Sequence, residues 1–425
     1  MRHHKMLLRI IHLILGLLLT LTVSISVVDP ADAAKKKKSS SRKNFIPSET
    51  VGKKLLKIQA LAEEEDFAGA LGILEPLSQK KRLKKFDKAT VFQMKGYMLG
   101  ALERYDDALE SFEVALAVDY LPDSAMQQLR FNLGQLYLAQ AEYDRAIELF
   151  EDWLDGAEKP DAQAHFMITL AYAGKESWGD GLEHARLSVS LSNEPIENRL
   201  RLLLAVEFQN GNIPETLDIL RLLATLFPKK DYYIQLAYGY SNFGEEEKAL
   251  AVLELAYYQE FLDRERELTQ LSQRYLYHNL PWRAAKVMES GLDQGIVEAT
   301  AKNLELYANT LLHAREYLDA IPPLARAAEV SENGDLYVRL AQVHLEVEDW
   351  RKARKSLESA VEKGELRDPG GAQLLLGISN YNEKRFRSAR TAFLAASEEE
   401  NSQIAARKWL KHVNRALKEA ENSEG

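Results

Sequence analysis

Histidine, cysteine and clustered carboxylates are the residues through which a chain of this kind would do chemistry. Nine histidines are present, three of them within the first twelve residues and six scattered. None forms an H-E-x-x-H or similar metal-ligating pair at helical spacing. Cysteine is absent, so a thiol nucleophile, a zinc–thiolate site, a disulfide and a lipoprotein acyl anchor are all ruled out. No glycine-rich phosphate loop, G-x-S-x-G elbow or Ca²⁺-binding loop occurs. The acidic runs Glu63-Glu64-Glu65-Asp66, Glu245-Glu246-Glu247 and Glu398-Glu399-Glu400 consist of consecutive residues. General acid–base work needs carboxylates set apart across a cleft and partly buried, so these runs read as solvated faces. The pairs Tyr232-Tyr233 and Tyr257-Tyr258 read as helix packing. The expectation is a binding protein, not an enzyme, with no cofactor and no metal.

The elements that would position a binding surface are written in a recurring small residue. It appears at Ala70, Ala108, Ala146, Gly181, Thr216, Ala249, Ala284, Ala320, Ala353 and Ala389, at intervals of 33 to 38 residues. Four positions later a large apolar residue follows in most cases, including Leu74, Phe112, Phe150, Leu324 and Phe393. A period of about 34 residues made of two amphipathic stretches signals stacked helical pairs. The second unit shows the logic: a helix A over 89–103 with Phe92, Gly96 and Leu99 on one face, a turn at 104–107, then a helix B over 108–118 with Ala108, Phe112 and Ala115 inward. Pro122 blocks its continuation. The third unit matches with Gly134 and Tyr137 on helix A and Ala146 and Phe150 on helix B.

With Gly or Ala and a Tyr on helix A, an aromatic at the turn, and Ala then a large apolar residue on helix B, the chain resembles the tetratricopeptide-repeat (TPR) family. The small helix-A position is filled by Gly96, Gly134, Ala237, Ala308, Ala341 and Gly377. The turn aromatic is Phe67, Tyr105, Tyr143, Trp178, Tyr317, Trp350 or Phe386. The resemblance implies an all-α, right-handed helix-turn-helix solenoid of about ten repeats over 49–401, closed by a capping helix and tail over 402–425. Small residues are expected where paired helices approach most closely. The middle repeats, where Gly181 and Thr216 replace alanine, are expected to be loosest. Pro322 and Pro323 are expected in or just after the first turn of a helix capped by Asp319. In the capping helix, Ile404, Trp409, Val413 and Leu417 are expected on the apolar side.

In the family, helix A lines the concave surface and its outward positions meet the ligand. Carried over to this sequence, the resemblance implies a candidate groove of Tyr97, Phe131, Gln135, Phe166, Arg201, Phe208, Ile234, Tyr238, Gln273, Tyr277, Asn309 and Gln342. Aromatic side chains at such positions supply contact area at low entropic cost. The Lys/Asn/Arg set with which some TPR domains clamp a terminal carboxylate is not matched; Arg201 stands isolated. A groove for a helix or an extended segment fits better.

The chain's start bears on location. Arg2, Lys5 and Arg9 precede the apolar run Ile10–Val28, and an A-x-A site follows at 31–33. This is a secretory signal over 1–33, cleaved after Ala33. An uncleaved inner-membrane anchor is the alternative, since the run approaches ~20 residues and Lys35–Lys38 flank it. Residues 34–48 read as a basic, disordered linker whose Lys35–Lys43 run could touch anionic headgroups weakly. The formal net charge is −9, and an acidic body argues against nucleic acid. The expected setting is the periplasm of a Gram-negative envelope, with envelope proteins as partners. Leader and divergent repeats together resemble periplasmic TPR proteins associated with TonB–ExbB–ExbD systems, which implies an accessory role in nutrient uptake. A component of polysaccharide, peptidoglycan or outer-membrane protein assembly is the alternative, and an envelope hydrolase a remote one.

Overall fold

The computed structural model describes residues 45–159 and 161–424, with side chains to residue 419; the signal and most of the linker read from the sequence lie outside the described residues. Two compact units divide at Phe227 and Pro228. Among the described residues the first holds ten helices: α1 (Glu49–Glu63), α2 (Phe67–Ser78), α3 (Lys85–Ala101), α4 (Tyr105–Val118), α5 (Asp123–Ala139), α6 (Tyr143–Asp155), α7 (Ala162–Gly174), α8 (Leu182–Ser190), α9 (Glu197–Gln209) and α10 (Ile213–Leu226). The second holds eleven: α11 (Lys230–Asn242), α12 (Glu246–Tyr258), α13 (Glu265–Tyr277), α14 (Pro281–Asp293), α15 (Ala301–His313), α16 (Tyr317–Val330), α17 (Asp335–Glu346), α18 (Trp350–Lys363), α19 (Pro369–Asn382), α20 (Phe386–Ala396) and α21 (Gln403–Glu424). Ten helical hairpins and one capping helix result, with no strand among the described residues. This is the all-α repeat architecture expected.

The recurring small residue has a defined place. In nine of the ten hairpins its amide closes the first turn of helix B, as Ala108 N–H does on Arg104 O at 3.0 Å and Ala146 N–H on Glu142 O at 3.1 Å; Gly181 lies in the turn before its helix. The eight alanines are fully buried. Sixteen residues before the large residue of helix B stands the small residue of helix A, and the two sizes compensate. Gly96 faces Phe112, Gly134 faces Phe150 and Gly377 faces Phe393; a Cβ on these glycines would come within 2.4, 2.8 and 2.4 Å of a ring carbon. Where the helix-A residue is Ala237, Ala308 or Ala341, position +16 holds the smaller Leu253, Leu324 or Leu357. The small residues therefore clear space for one side chain, a more local cause than the general approach of two backbones.

A second column was not legible beforehand. Each A–B turn places one residue in the left-handed region: Glu65, Glu103, Ala141, Glu176, Gly211, Gly244, Asn279, Arg315, Glu348 and Lys384. The next residue's amide then reaches back to a carbonyl near the end of helix A, as Arg104 N–H does to Leu99 O and Glu142 N–H to Tyr137 O, both at 2.9 Å. This satisfies carbonyls that a helix end leaves open. The Cβ of an L-residue costs roughly 1–2 kcal/mol in this conformation. Ala141→Gly, at φ 62, therefore stabilises the first unit by about 1 kcal/mol. Urea denaturation monitored by circular dichroism checks it, and a loss of stability would contradict this turn geometry.

Successive hairpins are stitched at close to the repeat period. Asn132 Nδ2 donates to Tyr97 Oη at 3.1 Å, 35 residues away. Arg199 Nη2 donates to Gln163 Oε1 at 2.9 Å, and Arg339 pairs with Glu305 at 2.9 Å. Tyr137 bonds Glu113 of the preceding hairpin, beside Arg145.

Two expectations need correction. The helix carrying Pro322 and Pro323 begins at Tyr317 with Glu316 as N-cap, so both prolines lie inside it. Tyr317, the turn aromatic, joins the helix because the left-handed Arg315 turns the chain early. Thr216 lies inside α10, which runs 14 residues, and its hydroxyl donates to Asn212 O at 2.8 Å. At Gly181 the chain is still in the turn formed by Trp178–Gly181, and α8 is only nine residues long. Ile404 is 73% exposed, outside the packed face of α21, where Trp409 stacks on Phe393 and Val413 is buried.

Candidate functional site

An α-helix turns about 100° per residue. Counted from the small helix-A column and its equivalents Thr169, Leu204 and Ser272 in the other hairpins, the candidate groove residues stand at only four offsets. Tyr97, Gln135, Tyr238, Gln273, Asn309 and Gln342 are one residue after it; Phe131, Phe166, Arg201 and Ile234 are three before it. Phe208 is four after it and Tyr277 five after it. All fall within an arc of about 100° on their helices. Each helix thus carries its candidates on one side, and the neighbouring residues decide how far each is covered.

In the first unit most of them are covered. The Tyr97 ring meets Phe112 edge-on at 5.2 Å, and burial pushes its phenol above the usual range while Asn132 bonds it. Phe131 packs on Phe150 and Trp153, both at 5.4 Å between ring centres. Phe166 is 4% exposed, with the Arg199 guanidinium 6.0 Å from its ring centre. Phe166 is thus corrected from groove to core, and Tyr97 and Phe131 offer only part of a ring. Gln135 and Arg201 are half-buried, whereas Phe208 is 59% exposed. Tyr97 and Phe131 reach the phenyl rings of helix B, Phe112 and Phe150, and are drawn partly into the core with them.

The second unit differs. Tyr238 on α11 is 68% exposed and Tyr277 on α13 is 77% exposed. Gln273 on α13 and Gln342 on α17 are also exposed, while Ile234 and Asn309 are half-buried. Asn309 Oδ1 on α15 is buried without a hydrogen-bond partner. Consecutive A helices therefore present tyrosine rings and carboxamides on corresponding arcs. Carboxamides can both donate to and accept from a peptide backbone, and tyrosine combines contact area with a polar tip. Of the tyrosine pairs read as packing, Tyr232 is buried and Tyr233 and Tyr257 join the core, but Tyr258 is 69% exposed.

One cluster escaped the sequence altogether. His165 on α7 and His184 on α8 face each other with Nδ1 to Nδ1 at 3.0 Å. Their ring centres are 5.1 Å apart, so the nitrogens meet nearly head-on, with one Nδ1–H donating to the other's bare Nδ1. Lone pairs aimed at one another do not converge on a third point, which favours a shared proton over chelation. Nothing at a spacing of 19 residues on two different helices marks such a pair.

Burial pulls both imidazoles below the usual histidine range; Asp161 and Glu183 oppose this at His165, and Glu183 opposes it at His184. Glu158 and Lys159 line the same surface recess as His165, and Tyr172 lies against His184. A histidine whose folded value is lowered binds fewer protons than the unfolded chain does. Stability from this pair is therefore complete above about pH 6.5, the unfolded value, and is lost as pH falls from there through the lowered folded value. Amide exchange in residues 162–190 should accelerate from neutral pH to about pH 5, beyond the intrinsic pH effect, and His165→Gln/His184→Gln should abolish that acceleration. Unchanged pH dependence in the double variant contradicts the assignment.

The tetratricopeptide-repeat family model matches residues 94–165 and 338–403. All three glycine–phenylalanine pairs lie in these two stretches, which supports the family likeness where the packing code is strongest. No curated protein matches the chain. Among solved structures, a tetratricopeptide repeat protein from Parabacteroides merdae is similar at 16% identity and a TM-score of 0.38, covering 62% of this chain and 100% of its own. YrrB, described as a TPR protein with an unusual peptide-binding site, is similar at 20% identity and a TM-score of 0.34 over 39% of this chain and 83% of its own. The TPR domain of P58(IPK) is similar at 16% identity and a TM-score of 0.24 over 87% and 99%. Likenesses at these scores carry no argument about function.

Proposed function

We propose that this array of helical hairpins is an exported scaffold that holds a protein partner against the exposed arc of its A helices in the second unit. One observation carries the reading: Tyr238 and Tyr277, on A helices of consecutive hairpins, keep 68% and 77% of their surface open. Apolar rings gathered on one surface, unlike singly exposed ones, mark interaction sites, and these two stand on corresponding arcs of neighbouring hairpins. Gln273 and Gln342 on the same arc would supply hydrogen bonds to an extended segment.

Export and an envelope setting rest on the basic, apolar and A-x-A segments of residues 1–33. The narrower reading, an accessory to TonB–ExbB–ExbD energy transduction, rests on that leader together with the divergent repeats. Site-specific photo-crosslinking tests both parts. A benzophenone amino acid at Tyr238 or Tyr277 should yield a discrete envelope-protein adduct, and one at exposed Glu247 should not. Equal adducts at all three positions would overturn the binding face, and adducts with only cytoplasmic proteins would overturn the envelope setting.

A further inference from the structure

The whole chain is acidic, yet its C-terminal end is not. Between Lys384 and Lys418 stand nine lysines and arginines and only three acidic residues, Glu398 to Glu400. Five of the cations lie on α21, at Arg407, Lys408, Lys411, Arg415 and Lys418, and all five are exposed. At about 100° per residue they share one arc of about 100° and run some 16 Å along the axis. The buried Ala406 and Val413, with Trp409 and Leu410 packed against the core, occupy the remaining side. Elsewhere in the second unit arginines meet carboxylates, as Arg274 meets Glu246 and Arg354 meets Glu383. Among the described residues these five form no ion pair.

The arc is not purely ionic. Ile404, 73% exposed, falls within it at the N-terminal end. On the preceding α20, exposed Arg387 and Arg390 share one side with Leu394, 46% exposed. Cations in a line, with isolated apolar side chains standing among them, suit a flat anionic surface: the charges meet headgroups and the apolar groups enter the boundary beneath them. A nucleic acid would meet the same cations but would find no exposed aromatic on this arc to stack a base. The packed side of α21 is already committed to α20, so the helix would adsorb from its outer face without leaving the array.

We infer that the outward face of α21, Arg407, Lys408, Lys411, Arg415 and Lys418 with Ile404, is a docking surface for anionic phospholipid headgroups. Because the chain has no cysteine, a single reporter can be placed at the site. In the full chain, Ile404→Cys carrying an environment-sensitive fluorophore should shift its emission to the blue with phosphatidylglycerol-containing vesicles. Pure phosphatidylcholine vesicles should leave it unchanged, and so should high salt added to the anionic vesicles. The same label at Glu247→Cys should not respond, which separates this contact from adsorption through Ile10–Val28. Adding Lys408→Glu, Lys411→Glu and Arg415→Glu should weaken the response at least about tenfold, with an unchanged circular dichroism spectrum showing that α21 is intact. An equal shift with phosphatidylcholine or with the triple variant would overturn the inference. So would a larger response to an oligonucleotide or to polyglutamate, which would assign the stripe to an anionic polymer.

Discussion

Phe150→Ala lowers the unfolding free energy of the first unit by about 3–5 kcal/mol, the range for removing a buried aromatic ring from a core that cannot collapse around the void. Phe150 has no exposed surface, meets Phe131 edge-on at 5.4 Å and fills the space that Gly134 leaves open. Two helices share it: α6 carries it, and α5 provides both Gly134 and Phe131. A void there also loosens Phe131 from the core. Phe208→Ala, at a ring that is 59% exposed in the same unit, should cost no more than about 0.5 kcal/mol. Urea denaturation of the two variants measures the contrast. Repeat arrays need not unfold in one step, so the transition should be followed by amide exchange in residues 123–155 as well as by circular dichroism. Similar costs at both positions would show that the helix-A arc and the core are not separated as described.

Gly96→Ala is expected to destabilise, although alanine is the better helix former by about 1 kcal/mol. The added Cβ would lie 2.4 Å from Phe112 Cε1, with two further ring carbons inside 3 Å. Phe112 is 2% exposed and meets the Tyr97 ring edge-on at 5.2 Å, so the ring has little room to move. Overpacking of this kind costs about 1–3 kcal/mol, leaving a net loss of about 1–2 kcal/mol after the propensity gain. Phe112→Leu alone also destabilises, by leaving space beside Gly96. Together the two changes recreate the pairing that the chain uses at Ala308 with Leu324 and at Ala341 with Leu357. The double variant should therefore be more stable than the sum of the singles by about 1–3 kcal/mol. Additivity within about 0.5 kcal/mol would mean that the glycine column does not answer to the ring opposite.

Both predictions turn on a code that one-dimensional reading reached only halfway. Spacing alone locates Ala146 and Phe150 on one helix, because i and i+4 share a face. That Phe150 answers to Gly134 sixteen residues earlier depends on how two helices fold back on each other. The sixteen-residue offset recurs in the text of the chain, but its meaning comes from the hairpin. Gly211, Gly244 and Asn279 hint at a left-handed turn column, yet Glu65, Glu103 and Arg315 occupy the same column and conceal it. Their backbone conformation is imposed by the hydrogen bonds that end helix A and not by their own preference.

The candidate face divides along the same line. One helical arc contains every residue chosen for the groove, and that much follows from periodicity. Which residues stay open does not. Phe166 and Tyr238 lie on corresponding arcs of A helices, but Phe166 sinks into its unit while Tyr238 stands clear. Phe166 has the Arg199 guanidinium of the next hairpin 6.0 Å from its ring centre, a partner 33 residues away in the chain. His165 and His184 meet for a similar reason, across two helices brought together by the hairpin.

The amino-acid sequence by itself determined the number of hairpins, the register of their small and large residues and the presence of a closing helix. A burial pattern with helical period is local, and ten copies of it leave little choice of architecture. The tertiary structure decided which helix-A aromatics remain open, where two histidines share a proton, and that the cations of α21 stand together on its outer side. Those outcomes depend on contacts between residues far apart in the chain, and only the packed arrangement determines which partners are present to cover a side chain.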